Sequence, residues 1–344
     1  MLLNPPAGDG ILGLRPDTVD PMQASQADSL NAYPSPLDAI VLAGTDDNPR
    51  RMIQGQNKAF LELRGKTLVR RVTEALLAAG SVGRIFVVGP SERLRQTLGD
   101  LGGPVTVVEQ AGKMLANAWQ AIEASEAQYR DRHGQDDDER PLIFLSSDLP
   151  LISAPAVDDF VARCARVDTD TGVGHGMLTG VAEEASLRQY YPQNGLPGIV
   201  RPYVHFSDCR LRLANIYVGR PRKLAHQQFL QTGFDHRKAE KWKNVAALAA
   251  LFLGQAGGWQ AAWITLRLQA TLLTAKGQGA LYRRLRRGNS RRRIEQACSK
   301  VLGGPVRIVV TPYGGLSLDA DNEEDFRVLD ERFEEWSQLG PVGA

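Results

Sequence analysis

The sequence predicts an α/β protein with a mostly parallel sheet, helices on both faces and a helical insertion. Four short apolar runs with almost no polar alternation recur in its first half, as in strands covered on both faces. Segments with helical spacing of apolar residues separate them, and this strand–helix–strand order favours a parallel sheet. The four runs are AIVLAG (39–44), RIFVVG (84–89), PVTVVE (104–109) and PLIFLSSD (141–148).

Two helices are predicted between these strands. TLVRRVTEALLAAG follows the first strand with apolar residues at helical spacing, and Gly80 ends it. Between the third and fourth strands, GKMLANAWQAIEASEAQ also has apolar residues at helical spacing. Further on, 199–208 and 210–219 are predicted to form a hairpin or an edge-strand pair. A long helical region follows, 307–321 returns to strand character, and an acidic helix comes last.

The chain divides into one domain with flanking segments. Residues 1–36 are rich in Pro, Gly, Ser, Asp and Gln and are predicted to be a disordered extension. The domain is expected over 37–330, with a helical insertion at about 221–302 and a tail at 331–344. A net charge of +2 gives no reason to expect a nucleic-acid partner, and three scattered cysteines favour a reducing, cytoplasmic setting. The oligomeric state is left open.

The insertion contains the most unusual composition of the chain. Its apolar run Val245–Leu253 is too short to span a bilayer, and seven arginines follow within 283–293. The simpler interpretation is a packed helical subdomain with a solvated basic face. The alternative is peripheral membrane contact through 239–293, because apolar helices next to basic clusters bind anionic membrane surfaces.

The segment that follows the first strand predicts a phosphate-binding loop. Gly44 allows close approach of a ligand to the backbone, while Arg50, Arg51 and Lys58 supply positive charge. Neither the P-loop nor the dinucleotide-binding glycine pattern is present. From these residues alone, an ordinary solvent loop is equally compatible.

Aspartates at the ends of later apolar runs predict a metal site in the same crevice. Asp148 ends the fourth strand and is followed by Pro150, whereas Asp319 and Asp321 alternate after the last strand. Mg²⁺ is commonly held by one or two carboxylates together with substrate phosphates. An aspartate that caps a turn is the alternative explanation for Asp148.

These landmarks, LAGT…RRM…NKAFLELRGKTLVRRV, SSDLPLI and LDADNEEDF, occur in the order typical of a known superfamily. The chain resembles the MobA-like nucleotidyltransferases, most closely over 37–160 and 307–328. The resemblance implies a Rossmann-like, GT-A-type fold, an NTP and a phosphorylated small-molecule acceptor as substrates, and Mg²⁺ as cofactor. Thr45 departs from the family pattern, which has a second glycine there.

The resemblance also implies a role for individual residues. These are the phosphate-binding, catalytic Arg51 and Lys58, the nucleotide-contacting Leu42, Ala43, Gly44, Thr45, Gly112 and Asn117, the acceptor- or ribose-side Asn215, and the metal ligands Asp148, Asp319 and Asp321.

The predicted reaction is Mg²⁺-dependent transfer of a nucleoside monophosphate to the acceptor with release of pyrophosphate. Two alternatives stay open on sequence. One is a GT-A-type glycosyltransferase that uses a nucleotide-sugar, and the other is a degenerate, non-catalytic protein that binds a nucleotide or docks on a membrane.

Overall fold

The computed structural model describes residues 32–44, 52–231 and 258–342. Its strands are β1 (Leu37–Leu42), β2 (Met52–Ile53), β3 (Gln56–Asn57), β4 (Glu62–Leu63), β5 (Lys66–Thr67), β6 (Val82–Gly89), β7 (Val105–Glu109), β8 (Leu142–Ser146), β9 (Met177–Glu183), β10 (Val204–His205), β11 (Arg210–Gly219) and β12 (Val306–Thr311). Its α-helices are α1 (Leu68–Leu77), α2 (Ser91–Leu98), α3 (Met114–His133), α4 (Ala154–Thr171), α5 (Glu184–Leu187), α6 (Gly258–Thr274), α7 (Ala280–Arg287), α8 (Arg291–Leu302) and α9 (Glu323–Trp336).

The central sheet has the strand order β12-β9-β11-β8-β1-β6-β7, and β10 pairs with β11. β11 runs antiparallel to β8, β9 and β10, whereas the other neighbouring pairs are parallel. The predicted mostly parallel α/β sheet is therefore confirmed, and the four predicted runs correspond to β1, β6, β7 and β8.

Both faces of the sheet are covered, which explains the lack of alternation in the apolar runs. In β1, Ala39 and Val41 pack into the core cluster that contains residues of α1 and α4. Ile40 points to the opposite face, where it packs with Phe86 of β6 and Ile122 of α3. A strand buried on both sides can be apolar at every position.

The second half of the sheet differs from the prediction. β10 and β11 form the predicted antiparallel pair, but β11 lies inside the sheet between β9 and β8 and not at an edge. β9 was not predicted, because MLTGVAE interrupts its apolar residues with Thr179 and Gly180. Gly180 is required by packing, since a Cβ there would lie 2.7 Å from the Ile216 carbonyl oxygen of β11.

The last strand ends before its predicted limit, and the last helix runs past the predicted domain limit. The strand predicted over 307–321 stops at Thr311, and a 3₁₀ turn follows at Gly314–Ser317. The last helix, α9, continues through the expected domain limit at 330, and its terminal Trp336 is buried and packs edge-on against Tyr190. Of the predicted N-terminal extension, 1–31 lies outside the described residues.

Helices α6, α7 and α8 pack together in the described part of the insertion. Asn289 Nδ2 donates to Thr271 Oγ1 at 3.0 Å, which ties the α7–α8 turn to α6. α8 lies against β12, where the Ile308 amide donates to Glu295 Oε1 at 2.9 Å. Within 32–44, 52–231 and 258–342, no helix is both long enough and apolar enough to cross a bilayer.

Candidate active site

The candidate site lies where β1 and β8 end side by side. Leu42 is paired with Ser146 at the carboxyl end of this parallel pair. The chain places β6 and β7 on one side of β1 and β8 on the other, so the strand order reverses between β1 and β8. Ligands of open α/β sheets bind at such a reversal. Gly44 and Asp148, each two residues beyond its strand, flank this crevice.

Lys58 lies between two of the predicted carboxylates. Its Nζ atom is 3.7 Å from Asp148 Oδ2 and 3.7 Å from Asp321 Oδ1. The side chains of Lys58 and Asp148 are each only 13% exposed, and that of Asp321 is 30% exposed. Three residues that lie far apart in the sequence are therefore brought into one partly enclosed cluster.

Asp319 and Asp321 follow the 3₁₀ turn and do not alternate along a strand, in contrast to the prediction. Arg212 of β11 contacts both of them, with Nη2 3.4 Å from Asp319 Oδ1 and 3.8 Å from Asp321 Oδ2. The central position of β11 in the sheet brings this arginine to the crevice.

A second arginine, Arg201, holds the segment from Asp319 to Asp325 through hydrogen bonds. Its Nη1 donates to Asp325 Oδ2 at 2.7 Å and its Nη2 donates to the Asp319 carbonyl oxygen at 2.7 Å. Arg201 Nη1 also lies 3.6 Å from Asp321 Oδ2. Because Arg201 and Asp325 are both about nine-tenths buried, these charge-assisted bonds hold the segment firmly.

The pKa of the Asp148 carboxyl lies above its ordinary value. Burial raises its pKa, and the negative charges of Asp319 and Asp321 raise it further. The Lys58 ammonium and a hydrogen bond from the Ser146 hydroxyl oppose this rise. Burial and the neighbouring carboxylates therefore disfavour the charged form of Asp148, which a nearby cation would stabilise.

Gly44, Gly112 and Asn117 form a second group just beyond the end of β1. Asn117 is 4% exposed, and its Oδ1 accepts from the Ala111 and Gly112 amides at 2.7 and 3.0 Å, while its Nδ2 donates to the Gly112 carbonyl at 3.3 Å. Gly112 has a backbone φ of +108°, a value that residues other than glycine rarely adopt. A Cβ on Gly44 would lie 2.4 Å from Asn117 Nδ2, so the two predicted nucleotide-contacting segments are in contact.

Asn57 connects Lys58 to the end of β1. Its Nδ2 donates to the Ala43 carbonyl at 2.9 Å, and its Oδ1 caps the 3₁₀ turn Lys58–Phe60 by accepting from the Ala59 amide at 3.0 Å. This pair of bonds fixes where the Lys58 side chain begins.

Of the remaining predicted site residues, three are described by the structure and two are not. Leu42 and Ala43 form the end of β1 and its continuation, and Asn215 is buried in β11 next to Ile216, which pairs with Leu145 of β8. Thr45 and Arg51 lie outside the described residues.

The donor set fits Mg²⁺ by its chemistry. Mg²⁺ takes oxygen ligands and needs only one or two carboxylates when substrate phosphates supply the others. Asp148 and Asp319 interact as like charges, so a divalent cation near both would be stabilised. Over the described ranges, however, His, Cys, Asp and Glu side chains form no group of three or more suited to a metal ion. Asp321 instead contacts Lys58 and Arg212.

Sequence reasoning missed Asn57, Arg201 and Arg212. No local pattern marks the two arginines, because they act on residues more than a hundred positions away. Asn57 could have been found, since it directly precedes Lys58 and Asn is a preferred capping residue.

Comparison with known proteins identifies the type of domain. Residues 39–205 match the MobA-like NTP transferase domain. A 2-C-methyl-D-erythritol 4-phosphate cytidylyltransferase of Rhodococcus opacus (strain B4) is 37% identical over 70 residues, which cover 19% of this chain and 31% of the relative. The enzyme of the same name from Rhodococcus jostii (strain RHA1) is 40% identical over 58 residues, 17% of this chain and 26% of the relative.

The matches to these curated relatives thus span a third of their length or less. Among solved structures, a hypothetical transferase from Thermus thermophilus superposes with a TM-score of 0.56 at 22% identity. The superposition covers 85% of this chain and 99% of that one, and it supports the fold.

Proposed function

Residues 39–205 are a MobA-like NTP transferase domain, and we propose that the chain transfers a nucleoside monophosphate from an NTP to a phosphorylated small-molecule acceptor. Pyrophosphate is the second product. The observation that carries the proposal is the position of Lys58, whose ammonium lies between Asp148 and Asp321 at the carboxyl ends of β1 and β8.

The reaction needs charge neutralisation more than proton transfer. An oxygen of the acceptor phosphate attacks the α-phosphorus of the NTP, and a new P–O bond forms. The bond from the α-phosphorus to the bridging oxygen breaks, and its electron pair leaves with pyrophosphate. Because the nucleophile is already anionic, catalysis consists mainly of positioning and stabilising charge on the phosphate oxygens.

Each site residue has a part in this scheme. Lys58 exchanges its carboxylate contacts for triphosphate oxygens, and Arg51 is proposed as a second cation. Mg²⁺, held by Asp148 and Asp319, would supply further neutralisation of phosphate charge. Arg212 and Arg201 keep the late carboxylates in place.

The nucleotide is proposed to lie along the first strand end. The backbone of Leu42, Ala43, Gly44 and Thr45 borders the base and ribose, together with the turn that Asn117 holds at Gly112. Asn215 is proposed to lie on the acceptor or ribose side. Since the matched relatives are named cytidylyltransferases, CTP is the first nucleotide to test.

The test is pyrophosphate release from each of the four NTPs, measured with Mg²⁺ and a pool of sugar and polyol phosphates. We expect one NTP to support turnover. Lys58→Ala and Asp148→Ala should each lower kcat by about 100-fold or more while the fold remains intact. Lys66→Ala is the matched control, because Lys66 is half exposed and bonds to Glu74 away from the site.

The alternatives give different products. Consumption of a nucleotide-sugar with release of a nucleoside diphosphate, and no pyrophosphate from any NTP, would identify a GT-A-type glycosyltransferase. Saturable NTP binding without any turnover would identify a non-catalytic nucleotide-binding protein. Near-normal turnover in folded Lys58→Ala would refute the role assigned to this lysine.

A further inference from the structure

One side of α6 is apolar and exposed to solvent. Trp259, Trp263 and Leu273 are 62%, 58% and 62% exposed, and Leu281 at the start of α7 is 60% exposed. At 3.6 residues per turn, the three α6 residues fall within about 80° of the helix circumference. Both exposed tryptophans of the described ranges belong to this stripe. An exposed apolar stripe of this kind on a folded protein indicates an interaction site.

The neighbouring helices supply a concentrated positive charge. Residues 258–302 contain ten Lys and Arg but a single acid, Glu295, which is buried and bonded to β12. Arg283, Arg284 and Arg287 of α7 are exposed. As far as the structure describes the chain, no carboxylate forms an ion pair with any of these three. Three neighbouring guanidinium groups without a carboxylate are an electrostatic site for anions.

The concentrated positive charge of this region also lowers the pKa of one of its own arginines. Burial lowers the pKa of Arg267 on α6, and the nearby positive charge of Arg293 lowers it further. Like charges held this closely repel one another, and an anionic surface placed against them would remove that repulsion.

The surface is preformed and needs no folding on contact. Lys300 Nζ of α8 donates to Gln260 Oε1 of α6 at 2.7 Å, which links the two helices. Two contacts hold α7 against the end of β10. Arg286 Nε donates to the Phe206 carbonyl at 2.6 Å, and the Tyr282 hydroxyl lies 2.9 Å from His205 Nδ1. The tryptophans and arginines are therefore held on one rigid unit.

We propose that this helical unit docks on an anionic lipid membrane through the exposed Trp259 and Trp263 of α6 and the exposed Arg283, Arg284 and Arg287 of α7. Tryptophan is favoured at the boundary between headgroups and acyl chains, and arginine pairs with anionic headgroups. A second copy of the chain would bring two basic clusters together, which is electrostatically unfavourable. RNA would use the arginines but offers no environment for the aliphatic residues of the stripe. The proposal is independent of the proposed function.

Co-sedimentation of the full chain with vesicles tests the proposal. We expect binding to phosphatidylcholine vesicles that contain a minority of phosphatidylglycerol, much weaker binding to phosphatidylcholine alone, and a decrease with added salt. A basic residue near an anionic surface contributes about five-fold to partitioning, so Arg283→Gln, Arg284→Gln and Arg287→Gln together should lower it on the order of 100-fold. Trp259→Ala with Trp263→Ala should also weaken binding and abolish the blue shift of tryptophan emission on vesicles.

Two further triple variants separate charge from structure. The triple variant Arg283→Lys, Arg284→Lys and Arg287→Lys keeps the positive charge and should retain binding to the mixed vesicles. Arg132→Gln, Arg188→Gln and Arg327→Gln remove an equal charge from exposed positions elsewhere and should also leave binding unchanged.

Several results would overturn the proposal. These are equal binding to both vesicle types, unchanged binding in folded α7 or tryptophan variants, or binding of single-stranded RNA without binding of vesicles. A dimer in sedimentation that the tryptophan substitutions dissociate, without vesicle binding, would identify a second copy as the occupant. Pyrophosphate release is measured in parallel, and we expect these variants to retain it, so membrane docking and catalysis are tested separately.

Discussion

Replacing Gly44 with alanine would place a methyl group against the Asn117 amide. The Cβ would lie 2.4 Å from Asn117 Nδ2, about 1 Å short of ordinary van der Waals contact. Asn117 is buried and bonded to the 111–112 turn by three hydrogen bonds, so it cannot swing away freely. The added methyl group must therefore displace the amide and weaken the turn.

The size of the effect follows from the bonds that would be lost. Each hydrogen bond contributes about 0.5–1.5 kcal/mol, so losing the two shortest costs about 1–3 kcal/mol, or about 5- to 150-fold in nucleotide affinity if the turn borders the nucleotide. Titration calorimetry with the preferred NTP measures this change. Gly80→Ala is the matched control, because a Cβ there meets nothing within 4 Å.

A double-mutant cycle identifies the route of the effect. Asn117→Ala alone should weaken the NTP to a similar degree, and the combined variant should be little worse than either single variant, since the same bonds are lost. Unchanged affinity in folded Gly44→Ala, or additive losses in the pair, would refute the proposed coupling between the two segments.

Three further predictions concern the supports of the site and the fold. Asn57→Ala should lose two hydrogen bonds and lower kcat/KM by about 5- to 150-fold, measured by pyrophosphate release, whereas an unchanged value would contradict its role in placing the Lys58 turn. Arg201→Leu leaves a buried carboxylate unpaired and should lower the free energy of unfolding in urea by about 3–5 kcal/mol, against little change for the exposed Arg327→Leu. Asp168 of α4 lies 2.7 Å from His175 Nδ1 and accepts from Arg220 Nη1 at 2.7 Å. Burial raises the pKa of Asp168, but these hydrogen bonds bring it below its ordinary value. Asp168→Asn should therefore lower the urea midpoint at pH 7, and its difference from the wild type should shrink as pH falls below about 4; a difference independent of pH would contradict this.

The sheet was predictable where the sequence pattern is local. β1, β6, β7 and β8 are buried on both faces, and each is visible as a continuous apolar run. β9 was missed because its pairing with β11 requires Gly180, which interrupts the run. For β10 and β11 the sequence predicted a hairpin or an edge-strand pair. The antiparallel pair is present, but β11 is central in the sheet, and its Arg212 contacts the acidic cluster with a side chain only 13% exposed.

The sequence singled out Lys58, Asp148 and Asp321, and the structure brings these three side chains together. Asp148 follows β8, and Lys58 lies in a 3₁₀ turn that Asn57 ties to the end of β1, so the parallel pairing of β1 with β8 explains why they meet. Asp321 reaches the same cluster from a turn after β12, and its position depends on Arg201 and Arg212, which only tertiary contacts reveal. Long-range ion pairs of this kind leave no periodic pattern in a sequence.

The most direct test of the central claim is titration of the folded protein with each NTP in the presence of Mg²⁺. The proposed site requires saturable binding of at least one NTP, weakened about 10-fold or more in Lys58→Ala, because one ammonium-phosphate contact is lost. Lys66→Ala should bind as the wild type does. Absence of binding for all four NTPs, or equal affinity in wild type and Lys58→Ala, would contradict a triphosphate site at Lys58.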